Sequence, residues 1–218
     1  MNGQPNKSYV SLDQAYHYFN EKLFGGSLPA VLITLQRHKG AYGYFHGGVF
    51  SPMGGTDQVD ELALNPSHFH QRTQTEILST LVHEQAHVLQ HHQGKPSRNG
   101  YHNAEWGQIM KRIGLHPSDT GAEGGKETGQ SVSHYIIPGG PFAKACEAFL
   151  AKHAGVLYGD RERTEEETTK TKKKNASKTK FSCLSCGQNA WAKPEAKLMC
   201  GDCEEMMEPE ILKDDGED

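Results

Sequence analysis

No stretch of the 218-residue chain strings together the roughly eighteen apolar residues that a membrane helix needs, and Met1 to Tyr9 is polar. Neither a membrane span nor a secretion signal is expected, and an intracellular protein is the default. Cysteine is scarce. Four of the five cysteines are packed between Cys183 and Cys203, which in a reducing compartment points to metal binding rather than disulfides, while Cys146 reads as a small buried apolar residue. Internal repeats are missing. Apolar residues all but vanish between Gly159 and Lys180, where Glu165-Glu166-Glu167 gives way to Lys170, Lys172, Lys173, Lys174, Lys178 and Lys180. Such a segment cannot bury enough surface to fold, so it reads as a tether that carries a basic strip able to touch phosphates. Nor does one charge sign dominate: nine of the 27 acids lie from Asp202 onward against Lys213 alone, which leaves 18 acids and 22 bases ahead of that tail.

What is present divides into four parts: a main domain over 10–158, a charged linker over 159–180, a small cysteine module over 181–212 and an acidic tail over 213–218. Ser11 ahead of Leu12, Tyr16, Phe19 and Leu23 predicts a capped amphipathic helix that ends near Gly25-Gly26. Val31, Ile33 and Leu35 alternate with Leu32, Thr34 and Gln36 as a strand would, and Tyr42 to Phe50 and Glu61 to Leu64 read as further strands of a small sheet. Gly121 to Pro141 is glycine-rich and reads as loop; Phe142 to Leu150 returns to helix. The fold class is α+β.

His83-Glu84-Gln85-Ala86-His87 is an H-E-x-x-H sequence, whose chemistry requires a helix so that both imidazoles share one face. Thr73 and Glu76 supply a capping-box pattern, and Ile77, Leu78, Leu81, Val82, Val88 and Leu89 fall on one broad arc with the two histidines opposite and Glu84 at its edge. The alternative is a pair of solvent-exposed histidines. A hydrolytic zinc site needs three protein ligands and an open position. A metzincin arrangement would require Gly at 90 and His at 93, where the chain has Gln90 and Gln93. His102 leads as third ligand, because it precedes a second helix with Asn103 as N-cap and an apolar stripe of Trp106, Ile109, Met110 and Ile113. Glu105 is a rival, as are His91 and His92, which lie too near along the first helix to complete an open tetrahedron. Tyr101 and His134 are both candidates to assist an oxyanion; the other histidines have no ligand-like spacing.

Cys183-Leu184-Ser185-Cys186 and Cys200-Gly201-Asp202-Cys203 are two C-x-x-C knuckles with thirteen residues between them, close to the spacing of a closed Cys₄ zinc site. Gly187 and Gly201 are read as the glycines of the two turns. So few apolar residues surround the knuckles that metal binding is expected to supply the folding energy. The basic linker together with Phe181, Trp191, Lys193 and Lys197 offers charge and a stacking surface for single-stranded nucleic acid.

The run from Leu78 through Leu115, with His83-Glu84-Gln85-Ala86-His87 followed by Gly100-Tyr101-His102-Asn103-Ala104-Glu105-Trp106, resembles the SprT-like metalloproteases. Phe19-Asn20-Glu21-Lys22-Leu23-Phe24, Leu28-Pro29 and Glu61-Leu62-Ala63-Leu64-Asn65-Pro66 also fit, so the resemblance covers about Leu12 to Leu150. It implies a zincin-like metalloprotease domain with an H-E-x-x-H active-site helix and a zinc ribbon behind it. His83, His87 and His102 would hold a catalytic zinc, Glu84 would activate the water, and Cys183, Cys186, Cys200 and Cys203 would hold a structural zinc. The implied function is a zinc-dependent endopeptidase acting on DNA-associated or DNA-crosslinked proteins, with DNA (single-stranded or junction-containing) as partner. The implied location is cytoplasmic: at the nucleoid in a bacterium, nuclear in a eukaryote. A non-proteolytic DNA- or transcription-associated zinc module is the alternative, which the presence of Glu84 disfavours. Gln85, where methionine is common in the family, and the insertion Ser118 to Gly140 are departures expected to leave the ligand set untouched.

Overall fold

A computed structural model describes residues 6–98, 100–153, 157, 159–160 and 178–210. The chain divides into two units, Met1–Asp160 and Arg161–Asp218. Most of the linker, 161–177, and the acidic tail, 213–218, lie outside the described residues, as do 154–156 and 158 of the main domain and 211–212 of the cysteine module.

In the first unit, helix α1 (Asn6–Phe24) leads into strand β1 (Leu32–Leu35). Strand β2 (Gly43–Phe50) and strand β3 (Val59–Leu64) follow, then a 3-10 turn over Pro66–Gln71 and helix α2 (Gln74–Gln93). Helix α3 (Ala104–Ile113), strands β4 (Leu115–Ser118) and β5 (Ser133–Ile136), and helix α4 (Pro141–Lys152) complete it. This is a mixed α+β domain. The sheet order is β1-β3-β2, with β3 parallel to β1 and antiparallel to β2, so β2 is an edge strand.

Helix α1 begins at Asn6, upstream of the expected cap at Ser11, because the buried stripe starts earlier: Ser8, Leu12, Ala15 and Phe19 recur at helical spacing and all lie buried. Its end is as expected. Gly25 and Gly26 take φ values of 64° and 73°, which a side chain would resist, and Asn20 then pins the returning chain by bonding both the N–H and the carbonyl of Leu28. Phe19 packs against Phe142 and Phe149 of α4, closing the core around α2.

Gly121–Pro141 departs from its expected loop. Ser133–Ile136 pairs antiparallel with Leu115–Ser118, Ile136 opposite Leu115 and Ser133 opposite Ser118. Both strands are only four residues long, with polar residues and a proline among them, too little alternation to register as strands in sequence. Gly159 and Asp160, expected in the linker, are held by the first unit: the Asp160 N–H donates to Pro66 O, and its carboxylate accepts from Arg37 and Ser67.

The second unit is a three-stranded sheet, β6 (Thr179–Ser182), β7 (Asn189–Ala192) and β8 (Glu208–Pro209), in the order β7-β6-β8. Among the described residues its buried core is Phe181, Cys183, Cys200 and Met207. Phe181 is therefore not available as a stacking surface, whereas Trp191 is 62 % exposed. Each knuckle makes the same turn, Gly187 N–H to Cys183 O and Glu204 N–H to Cys200 O. The second turn thus puts its left-handed residue at Glu204 (φ 54°), in the place that Gly187 (φ 73°) takes in the first, and not at Gly201.

Candidate metal centre and its cleft

Helix α2 is nucleated by the capping box the sequence predicts: Glu76 N–H donates to Thr73 Oγ1 and Thr73 N–H to Glu76 Oε2. The side expected to be polar and open is covered instead. Glu84 is 4 % and His83 8 % exposed, and Trp106 of α3 stands against the rings of His83, His87 and His102 at centroid distances of 4.9, 5.1 and 4.4 Å. His102 arrives just before the N-cap of α3, where Asn103 accepts from Trp106 N–H as expected. Each of His83, His87 and His102 offers one ring nitrogen, and these nitrogens lie within 4.8 Å of one another.

The rivals for third place are employed elsewhere. Glu105 accepts from Gln90 Nε2 and from Lys95 N–H, both at 2.7 Å, and Gln90 Nε2 also reaches Asn103 Oδ1. Gln90 thereby fixes the start of α3 and with it the position of His102. His92 turns to Asp60, with Nε2 2.6 Å from Oδ2.

The segment 118–140, expected to stand clear of the ligand set, in fact orients it. Gly129 pairs with His102 through both backbone bonds, and Gly129 O accepts from His102 Nδ1 at 3.3 Å. His134 on β5 lies with Nδ1 3.0 Å from His83 Nδ1 and Nε2 2.9 Å from Ser79 Oγ. Ser79 donates its hydroxyl to Glu76 O, so it accepts from His134 Nε2–H; His134 Nδ1 then accepts from His83 Nδ1–H. In both His83 and His102 the nitrogen left for a metal is Nε2. Sequence gave no sign of this chain, since it joins residues from α2 and β5 through tertiary contact alone.

Burial, then the neighbouring imidazoles, drives the His83 pKa well below the ordinary value, and burial with His102 nearby takes His87 down to about 3. His134 falls to about 4 by burial and the Arg72 charge. Three converging, neutral imidazoles, two of them with tautomers fixed by hydrogen bonds, are what a zinc ion requires, so this donor set fits zinc. Beside them, burial pushes the Glu84 carboxyl up to about 8. A Cβ on Gly43 would meet Ala63 O at 2.8 Å and Glu84 Oε1 at 3.3 Å, so the missing side chain lets β2 press onto the carboxyl. Gln85 is fully buried, donating Nε2 to Tyr16 O and tying α2 to α1 without touching the histidines.

The three histidines and Glu84 line a cleft of about 760 Å³ whose far wall is Tyr42 to Gly47 of the β2 region. Tyr101 lines it too. In the second unit the four thiols of Cys183, Cys186, Cys200 and Cys203 also lie within 4.8 Å of one another, a donor set that fits zinc as well.

A mixed α+β domain thus brings a largely buried three-histidine donor set and a carboxyl into one cleft, a candidate metal centre. The SprT-like family profile matches residues 12–126, more than half of the chain, and the chain belongs to the SprT-like family. Membership points to a metallopeptidase type of function. A stretch of 38 residues is 58 % identical to a Salmonella typhimurium protein described as "Uncharacterized protein in mucB 3'region". That match takes in 17 % of this chain and 51 % of the other, so the chain spans about half the length of the curated relative it matches. No solved structure matches the chain. No helix among the described residues is long and apolar enough to cross a membrane.

Proposed function

We propose that the chain is a zinc-dependent endopeptidase acting on DNA-associated or DNA-crosslinked proteins, with zinc held by His83, His87 and His102 and with Glu84 as general base. The observation that carries this is the meeting of those three nitrogens, within 4.8 Å, and Glu84 in one cleft bordered by an edge strand. When bound, zinc supplies Lewis acidity, lowers the pKa of a coordinated water to about 7 and draws Glu84 back toward its carboxylate form. Glu84 takes the proton from the attacking water and passes it to the departing amine. Trp106 and the helices behind it exclude bulk water from the inner wall. Strand β2 is paired by β3 on one side only, which supports a polypeptide substrate that adds as an extended strand through its backbone. Both ring nitrogens of His134 are engaged, so of the two oxyanion candidates Tyr101, on the cleft wall, is the one free to donate.

The four cysteines hold a structural zinc in this reading. Nucleic-acid binding draws on exposed Trp191 and on the lysine run. Within 178–210 four lysines face six acids, so the attraction for phosphate falls to Lys170, Lys172, Lys173 and Lys174.

The test is cleavage of a DNA-crosslinked protein by the wild type and Glu84→Gln, with single-stranded, double-stranded or no DNA, after zinc content is measured. The wild type cuts, DNA accelerates it, and the variant keeps its zinc while losing about 10²- to 10⁴-fold in rate. If neither protein cuts while both hold zinc and bind DNA, the non-proteolytic binding module becomes the correct reading.

A further inference from the structure

Beyond the three-histidine centre, the structure places a second imidazole–carboxylate cluster at the far end of α2. We infer that Asp60, His91 and His92 form an additional site for a divalent cation of the zinc class, one that clamps the start of β3, and through the Gly48–Asp60 hydrogen bond the irregular part of β2, to the last turn of α2. The ligand atoms of the three lie within 4.8 Å of one another.

Asp60 is the fixed member. Its side chain is 7 % exposed, Oδ1 accepts from Gly48 N–H at 2.8 Å, and Oδ2 faces His92 Nε2 at 2.6 Å. A buried carboxylate needs a positive partner. His91 and His92 are successive helical residues, whose side chains normally diverge by about 100°. Here their rings meet edge to face at 4.9 Å, both exposed, which leaves the remaining coordination positions to water.

The strand is shaped to receive His91. Between His46 and Phe50 the pairing of β2 with β3 shifts register, and Gly47 and Gly48 occupy the irregularity. A Cβ on Gly47 would stand 2.7 Å from His91 Nε2, so the ring lies in the space that the missing side chain leaves, with Phe45 at its edge (centroids 5.3 Å). Gly48 has φ 63°, which turns its N–H to Asp60. Two imidazoles and one carboxylate suit zinc, nickel or cobalt and suit magnesium or calcium poorly. Only three protein donors, two of them exposed, make the site weaker than the histidine centre. Because β2 borders the cleft and His91 is on the cleft wall, occupancy stiffens the strand along which a polypeptide would lie.

The test is a zinc titration of the metal-stripped 218-residue chain, following bound equivalents by competition with a chromophoric chelator. The variants are His92→Ala, which alters an exposed ligand, and Gly47→Ala, which keeps all three ligands and displaces the His91 ring. The wild type takes up one weak equivalent that both variants lack, and nickel competes for it whereas magnesium does not. The tight equivalents are the same in all three proteins, so the result does not depend on what the three-histidine centre catalyses. Retention of the weak equivalent by either variant, or its absence from the wild type, overturns the site and leaves Asp60–His92 as an ordinary ion pair.

Discussion

Two donor sets, three imidazoles in the first unit and four thiols in the second, stand in opposite relation to the apolar residues around them. Two of the imidazoles sit on a helix whose other faces bury Leu78, Leu81, Val82 and Val88, and Trp106 packs against all three rings. In the cysteine unit two of the four core residues, Cys183 and Cys200, are donors themselves. The fold builds the first site; the second site must build its fold. Electrostatics follow the same division. Burial keeps the histidines neutral and ready, whereas four clustered thiols cannot all ionise unaided: the Cys186 N–H holds Cys183 down to about 7, and the thiol of Cys186 and its neighbours push Cys203 up to about 12.

The sharpest way to break this contrast is metal removal. A chelator unfolds the cysteine unit, since structural zinc in such small domains contributes on the order of 10 kcal/mol, while the first unit keeps its helices. Amide resonances of 178–210 should collapse toward random-coil shifts with those of 12–150 dispersed; a folded metal-free ribbon would refute the contrast.

Next in size is His134→Ala, which removes the acceptor that fixes the His83 tautomer. Zinc affinity at the histidine centre should fall about 10- to 100-fold, with the thiol cluster unchanged. Unchanged affinity at both sites would mean that His134 only packs.

The pH dependence of the metal-free first unit should expose the buried groups. His83, His87, His102 and His134 have folded pKa values below the ordinary 6.5, so their contribution is present above that value and lost as pH falls toward about 3 to 4. Glu84 is raised to about 8, so its contribution is complete below about 4.5 and lost as pH rises through 8. Thermal melts should peak near pH 6.5, and Glu84→Gln should flatten the alkaline side.

The smallest effect belongs to the second knuckle. Glu204→Gly relieves a left-handed backbone and should stabilise the zinc-loaded ribbon by about 1 kcal/mol, read by its melting, whereas Gly187→Ala should destabilise it by a similar amount.

Much of this was legible in sequence because it is local. The capping box, the helix carrying His83 and His87, the N-cap at Asn103 and the two knuckles depend on spacings of a few residues, which the chain carries regardless of its surroundings. The start of α1 is not marked in sequence, because Ser11 has the chemistry of a cap while the buried stripe begins at Ser8. The role of 118–140 was illegible for another reason: Gly129 and His134 meet His102 and His83 across 27 and 51 residues, and no periodicity encodes such a meeting.

By itself, then, the sequence determined which donors exist and which pairs share a helix face or a turn, since helical pitch and turn geometry are properties of neighbouring residues. Tertiary structure alone decided that Gln90 and Glu105 set the start of α3, that His134 orients His83, that Gly43 lets β2 close on Glu84, and that Asp60 meets His92. Those contacts arise where separate elements pack, and packing depends on the shape and burial of the whole domain.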